Sequence, residues 1–323
     1  MSSKDIQLHP IDDGHRPGGT LDQTYLAENL DKVSSSFVTV FDDLLAEEWV
    51  ERLYAYACEK GRPWGVYVTG EEARNGCLSS EELFKDDPEK AMALEAVRAL
   101  VYSRGAGVVG ADAEERIHGT AIWCLASSES AEVNYHIDYA ELYRYETNII
   151  HPPLYAGTCH VSPLRVGDMT GGDFMVNSEG LGHYKRFGYK GALLPLDDDV
   201  RSGDWLTIKY KRNRGILHDG DLPHLSTPVK RIPMGTKRVI LGFNCFSEAV
   251  SECCMRAPEH SDAFNRTVKI YQATASGKLG KQSSKKLSAK EVMKNPALAK
   301  LLVLAARKVK EERARVEAAA ETK

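Results

Sequence analysis

A chain of 323 residues, 42% apolar and 27% charged, can bury one large core or two modest ones and lies outside the compositions of disordered, fibrous and disulfide-stapled chains. Seven cysteines, an odd number with no Cys-x-x-Cys spacing, encode neither a disulfide framework nor a zinc knuckle and read as reduced thiols. A formal net charge of −4 disfavours a uniformly basic nucleic-acid binder, and the lack of a long apolar run or a signal-peptide core predicts a soluble, cytoplasmic protein without membrane contact.

Residues 1–35 are polar, rich in Gly, Asp and Ser and without periodicity, and predict a flexible N-terminal arm. The main domain then runs over 36–260. Phe37–Phe41 alternates as a strand does, and Leu45, Trp49, Leu53 and Ala57, recurring every four residues, predict a helix over about 45–60. Acidic and small residues over 70–88 predict a loop, and Ala91–Tyr102 a second helix. From about 117 to 250 short alternating runs (120–125, 133–139, 172–176, 205–210, 215–218 and 238–245) are parted by Gly, Pro, Asp and Asn. That texture predicts a mainly β domain with flanking helices, built as a sandwich, barrel or jelly roll rather than a doubly wound parallel sheet. The glycine-rich stretch 178–203 reads as a functional loop or lid.

Residues 261–323 read as a basic helical extension. Its part from 278 onward carries 13 Lys and Arg against five Glu, so the rest of the chain is net acidic and unfavourable to phosphate. Ser288 with Glu291 makes a capping box, and Asn295-Pro296 starts an amphipathic helix striped by Leu298, Leu301, Leu302, Ala305, Val309 and Val316. Such a stripe suits packing on its own domain or contact with a protein partner.

The chemistry-bearing residues lie among the strands. His136 and Asp138 are two apart, and on a strand residues i and i+2 share a face, so one imidazole and one carboxylate can meet one ion. A histidine from a distant strand would complete a two-histidine, one-carboxylate set, which leaves half of an octahedral ion open. Both His218 and His224 are available for that place. His224 is followed by Pro228-Val229, and Arg238 opens the alternating run Arg238–Phe246.

This joint pattern resembles the Fe(II)/2-oxoglutarate-dependent oxygenases, in particular their prolyl-hydroxylase-like branch. The matching positions are His136, Asp138, His224, Pro228, Val229 and Arg238, with Gly171-Gly172-Asp173-Phe174 similar to a core strand of that branch, and the likeness covers about 37–250. It implies a double-stranded β-helix (jelly-roll) core, with N-terminal helices and a C-terminal amphipathic helix. It also implies Fe(II) held by His136, Asp138 and His224, with 2-oxoglutarate and O2 as co-substrates and ascorbate as a reductant. Arg238 would receive the far carboxylate of 2-oxoglutarate, because a guanidinium offers a charged, bidentate fork. A supporting hydroxyl would come from Tyr145, Tyr155 or Thr207. Related halogenases carry a small residue at the Asp138 position, so its carboxylate implies hydroxylation, desaturation or ring formation.

The implied substrate is a small molecule such as an amino acid derivative, with a prolyl- or lysyl-type protein hydroxylase and a non-catalytic metal-binding jelly roll as the alternatives. Asn134, Tyr135, Tyr139, Glu141, Tyr143, Arg144 and Tyr145 flank the metal run as a polar aromatic cluster that suits a pocket wall. Arg165, Lys185, Arg186 and Tyr189 would favour an acidic substrate, and Asp197–Asp199 a basic one.

Overall fold

The computed structural model describes residues 6–11, 24–29, 37–75, 78–109, 115–128, 131–187 and 203–275. The expected helices beyond 275 and the greater part of the expected lid, 188–202, lie outside these residues. The chain divides into two units, Met1–Tyr271 and Gln272–Lys323, and the first carries the sheets.

Within the expected N-terminal arm the chain forms two antiparallel strands, β1 (Ile6–Ile11) and β2 (Thr24–Asn29). Strand β3 (Val38–Asp42) and helix α1 (Glu47–Lys60) follow as the periodicity predicts. Glu47 and Glu48 open α1, Lys60 closes it, and Gly61 ends it in the left-handed region at φ 63°, donating its N–H to Ala57 O. After β4 (Trp64–Thr69), the acidic residues expected to make a loop instead start short helices, α2 (Gly70–Arg74) and α3 (Ser80–Leu83). The physical reason is capping: Thr69 and Glu72 form a reciprocal capping box, and Ser79 accepts from the Glu82 N–H. Helix α4 (Pro88–Val97) is capped by Asp87, and a π-helical turn, Arg98–Arg104, continues it before α5 (Ala106–Val109).

The β region then supplies β5 (Gly119–Ser127), β6 (Val133–His136), helix α6 (Glu141–Thr147), β7 (Ile149–Ile150), β8 (Tyr155–His160) and β9 (Phe174–Asn177). It closes with α7 (Leu181–Phe187), β10 (Trp205–Ile208), β11 (Arg214–Asp219), β12 (His224–Ser226) and β13 (Arg238–Phe246). Helices α8 (Glu248–Arg256) and α9 (Asp262–Ala275) follow. Two antiparallel sheets dominate, a six-stranded one ordered β3-β11-β8-β13-β5-β4 and a four-stranded one ordered β10-β9-β12-β6. Residues of both sheets line one cavity, the arrangement of an open jelly roll.

The six-stranded sheet is covered on its other face by helices. Trp49, Leu53 and Ala57 of α1 and Met92, Val97 and Leu100 pack with Val68, Ile122, Leu241 and Phe243 into the largest apolar cluster. A third sheet, β1-β2-β7, brings Leu26 against Ile137 and Tyr139, so the N-terminal strands buttress the segment that follows β6. No helix among the described residues is long and apolar enough to cross a membrane, and the six described cysteines are free thiols.

Candidate functional site

His136 and His224 are directly opposed across the antiparallel β6–β12 pair, so their side chains leave the same face with ring centroids 4.4 Å apart. Asp138 lies two residues past His136 and turns its carboxylate between them. Its Oδ1 is 3.4 Å from His136 Nε2 and its Oδ2 3.6 Å from His224 Nε2. One atom from each residue falls within 4.8 Å of the others, and these three are the group among the described residues with that convergence. Cis ligands of a first-row ion, bonded at about 2.1 Å, sit about 3 Å apart, so small side-chain adjustments close the set around a metal.

Both imidazoles are fixed from behind by their own strands. His136 Nδ1–H donates to Asn134 O at 2.7 Å, and His224 Nδ1–H donates to Leu222 O at 3.0 Å. A carbonyl accepts only, so Nδ1 carries the proton in each ring and the Nε2 lone pair faces Asp138, as a metal ligand requires. Burial pushes His224 down to about 3, so its ring is neutral at physiological pH. For Asp138 burial works in the opposite direction, and the imidazoles of His224 and His136 outweigh it, holding the carboxyl down at about 2. The Asn244 amide of β13, oriented with its nitrogen toward its acceptors, donates to Asp138 Oδ2 at 3.0 Å and to Phe243 O at 2.8 Å.

His218, the rival third ligand, comes from β11 in the facing sheet. It lines the same cavity, with its ring 5.1 Å from that of His224 and its Nδ1–H on Asp219 O, and stands beside the converging group. His160 is buried elsewhere, stacked on Tyr210 at 4.2 Å, and burial holds it well below the usual histidine range.

The other end of the cavity is cationic. Arg238 is 3% exposed, donates from Nη2 to Ser226 Oγ at 3.0 Å and lies over the Tyr210 ring. Its Nε is buried without a partner, and no carboxylate among the described residues pairs with it; the nearby Asp173 is engaged by Lys209. Burial pulls its pKa down, against the Tyr210 hydroxyl and Asp173. A buried guanidinium with unused donors is costly unless an anion completes it. The Gly-Gly turn makes room for it: Gly172 adopts φ 71°, and a Cβ there would approach Arg238 Nε to 3.2 Å and Met169 Cε to 2.5 Å.

Ser226 follows His224 by two residues, so the anion end and the metal end lie about 7 Å apart along β12. Both face a cavity of about 180 Å³ that also takes in Leu125, Tyr139, Phe174, Thr158 and Ile240. A space of that size holds a small organic molecule, somewhat more than the 150 Å³ that admits benzene.

The hydroxyl at Arg238 is therefore that of Ser226, not of Tyr145, Tyr155 or Thr207. Thr207 is exposed on β10, Tyr145 stacks on Tyr271, and Tyr155 packs on Phe37. Of the expected pocket residues, Tyr139 and Glu141 line the cavity. Asn134 is exposed, Tyr135 turns to the opposite face and bonds His183, Tyr143 packs beside His151, and Arg144 is buried in α6. Ser226 was readable by strand alternation from His224, and Asn244 by alternation from Arg238. Trp123, Thr158, His260 and Glu259 reach the cavity only through sheet register and a turn, which leave no local signal.

The fold and site together define a jelly roll in which a converging two-histidine, one-carboxylate group and a buried arginine line one cavity. No family model matches the chain, and no curated protein sequence matches it. Among solved structures it is similar to a Pseudomonas putida prolyl-4-hydroxylase at 12% identity and TM-score 0.40, covering 68% of this chain and 89% of that one. It is also similar to HygX from Streptomyces hygroscopicus with nickel and 2-oxoglutarate bound, at 15% identity and TM-score 0.33, covering 65% and 83%. A third is the α-ketoglutarate-dependent epimerase SnoN of nogalamycin biosynthesis, at 12% identity and TM-score 0.34, covering 65% and 79%.

Proposed function

We propose that the protein is an Fe(II)- and 2-oxoglutarate-dependent oxygenase that oxidises a C–H bond of a small molecule. The observation that carries this reading is the pairing, in one cavity, of the His136–Asp138–His224 group with a buried Arg238 that has no anion of its own.

The donor set fits the metal. Two neutral Nε2 atoms and one ionised carboxylate suit Fe(II) and leave open positions for further ligands. When bound, Fe(II) with 2-oxoglutarate and O2 supplies the power to oxidise an unactivated C–H bond, with release of succinate and CO2. The protein's part is placement. Arg238 and Ser226 Oγ receive the far carboxylate of the co-substrate, and the distance along β12 puts its other end at the metal ligands. Asn134 O and Leu222 O hold the Nδ1 protons of the two histidines, so in each neutral ring the Nε2 lone pair is the one left for the metal. Phe174, Ile240 and Leu125 give the cavity apolar walls that exclude water.

Anaerobic titration of the full chain with Fe(II) and then 2-oxoglutarate tests the reading. The expected result is the weak visible charge-transfer band of the chelate, followed by slow succinate formation when air is admitted. Iron binding without the band would sink the co-substrate assignment and leave a metal-binding jelly roll.

A further inference from the structure

Strands β4, β5 and β13 align Gly65, Trp123 and Gly242 in one cross-strand row, so a large ring stands between two positions that carry no side chain. The two glycines serve different ends. A Cβ on Gly65 would fall 1.7 Å from Glu259 O, so glycine there lets the turn between α8 and α9 dock on the sheet. A Cβ on Gly242 would fall 2.3 Å from both Cε2 and Cζ2 of Trp123 and 2.7 Å from Nε1. Cε2 is shared by the two fused rings and lies inside the Nε1–Cζ2 edge. An approach along that edge would bring Nε1 nearer than Cε2, so Gly242 meets the flat of the indole, and the ring lies on its backbone.

One face of the indole is thus taken up by the sheet. The other is left to the cavity, which Trp123 lines as a half-buried residue. Leu125 and Ile240, paired in the next inward-facing row, continue this floor, and Val133 and Phe174 of the facing sheet add apolar walls. His260 closes one edge, with its ring 6.3 Å from the indole and inclined by 43°. Burial holds His260 below the usual histidine range, so near pH 7 it adds an uncharged ring.

Charge is scarce around this face. Of the charged lining residues outside the metal group, Glu141 and Glu259 are engaged within the chain, and Arg238 lies four residues along β13, about 13 Å away. The metal group is nearer. Gly242 is two residues, about 7 Å, from Asn244, whose amide donates to Asp138.

We propose that the free face of Trp123 is the platform for an uncharged aromatic ring of the substrate, which lies flat on the indole with the His260 ring at its edge. That the ring belongs to a substrate rests on the oxygenase reading; the ring preference of the platform does not. Offset stacking of two π systems adds to the burial of apolar area, so a planar ring gains over a saturated ring of the same outline.

The test is calorimetric titration of the full chain, with and without Fe(II) and 2-oxoglutarate under anaerobic conditions, using benzyl alcohol and its saturated counterpart cyclohexylmethanol as probes. Benzyl alcohol should bind about threefold or more tighter in both states. Benzylammonium, tested in loaded samples, should bind more weakly than benzyl alcohol. Trp123→Leu keeps an apolar floor without a π face and should erase the preference for the aromatic alcohol, whereas Trp123→Phe should keep part of it. Gly242→Ala, whose new methyl would lift the indole from its seat, should lower the same ratio. Equal or tighter binding of cyclohexylmethanol, no binding of either alcohol, tighter benzylammonium, or a ratio unmoved in Trp123→Leu overturns the proposal. The chelate band is read in the same loaded samples. Its absence counts against the oxygenase reading alone, because the ring preference is measured in the unloaded chain as well.

Discussion

The two faces of β13 carry opposite duties within nine residues. Val239, Leu241, Phe243 and Cys245 turn to the helices and are wholly buried in an apolar cluster. Arg238, Ile240, Gly242 and Asn244 turn inward, to Ser226, to the cavity wall, to the Trp123 indole and to the Asp138 carboxylate. The same backbone hydrogen bonds to β5 and β8 serve both faces. Stability is therefore concentrated on one side, where dense packing tolerates the buried polar and charged groups that function demands on the other.

The sharpest break of this division is Asp138→Ala, which removes the carboxylate and leaves the helical face untouched. Iron-dependent succinate formation should be abolished while the thermal midpoint stays close to that of the unaltered chain; retained turnover would falsify the ligand assignment. Phe243→Ala strikes the opposite face. It should cost about 3–5 kcal/mol in urea denaturation by leaving a cavity among the helices, and the surviving folded fraction should still show the chelate band.

Arg238→Ala stays on the functional face and should raise the apparent KM for 2-oxoglutarate by roughly 30- to 150-fold, the scale of a lost charged hydrogen bond of about 2–3 kcal/mol. Iron affinity measured without co-substrate should hold. The smallest effect belongs to the rim of the same sheet, where Asp42 accepts a bidentate pair from Arg214 at 2.7 and 3.0 Å and a third bond from Lys211 at 2.8 Å. The Arg214 bonds, against burial and with Lys211 assisting, hold its carboxyl down at about 2 from 3.8. A depressed carboxyl stabilises the fold above its unfolded pKa, and that contribution fades as pH falls from 3.8 through about 2. The stability gap between the natural chain and Asp42→Asn should be flat above about pH 5 and narrow as pH falls through that window, as chemical denaturation at several pH values would show.

The legible half of the molecule was the half written in short-range pattern. Alternation in Phe37–Phe41 and Arg238–Phe246 located strands that the structure contains, and the four-residue recurrence from Leu45 to Ala57 located α1. His136, Asp138 and His224 were readable from the two-residue spacing of the first pair and the local setting of the third; the structure brings them together, although β6 ends at His136 and Asp138 lies just beyond it. Strands β4 and β8 went unread, since Trp64–Thr69 and Tyr155–His160 are buried on both faces and lack alternation. The N-terminal strands were hidden for another reason: β2 forms against Ile149 and Ile150, a pairing across more than a hundred residues that leaves no trace in local composition. Alternation from His224 puts Ser226 on the cavity face, whereas its bond to Arg238 is set by tertiary packing that local pattern does not encode.

With the proposed ligand set, the direct opposition of His136 and His224 would tie metal loading to strand pairing. Because side chains alternate, a one-residue slip of β6 against β12 would send one of the two rings to the far side of the sheet and break the chelate. Bound metal would then lower the free energy of one alignment and of no neighbouring one. An ion held in this way would act in the newly made chain as a proofreader of sheet assembly before it acts in any reaction.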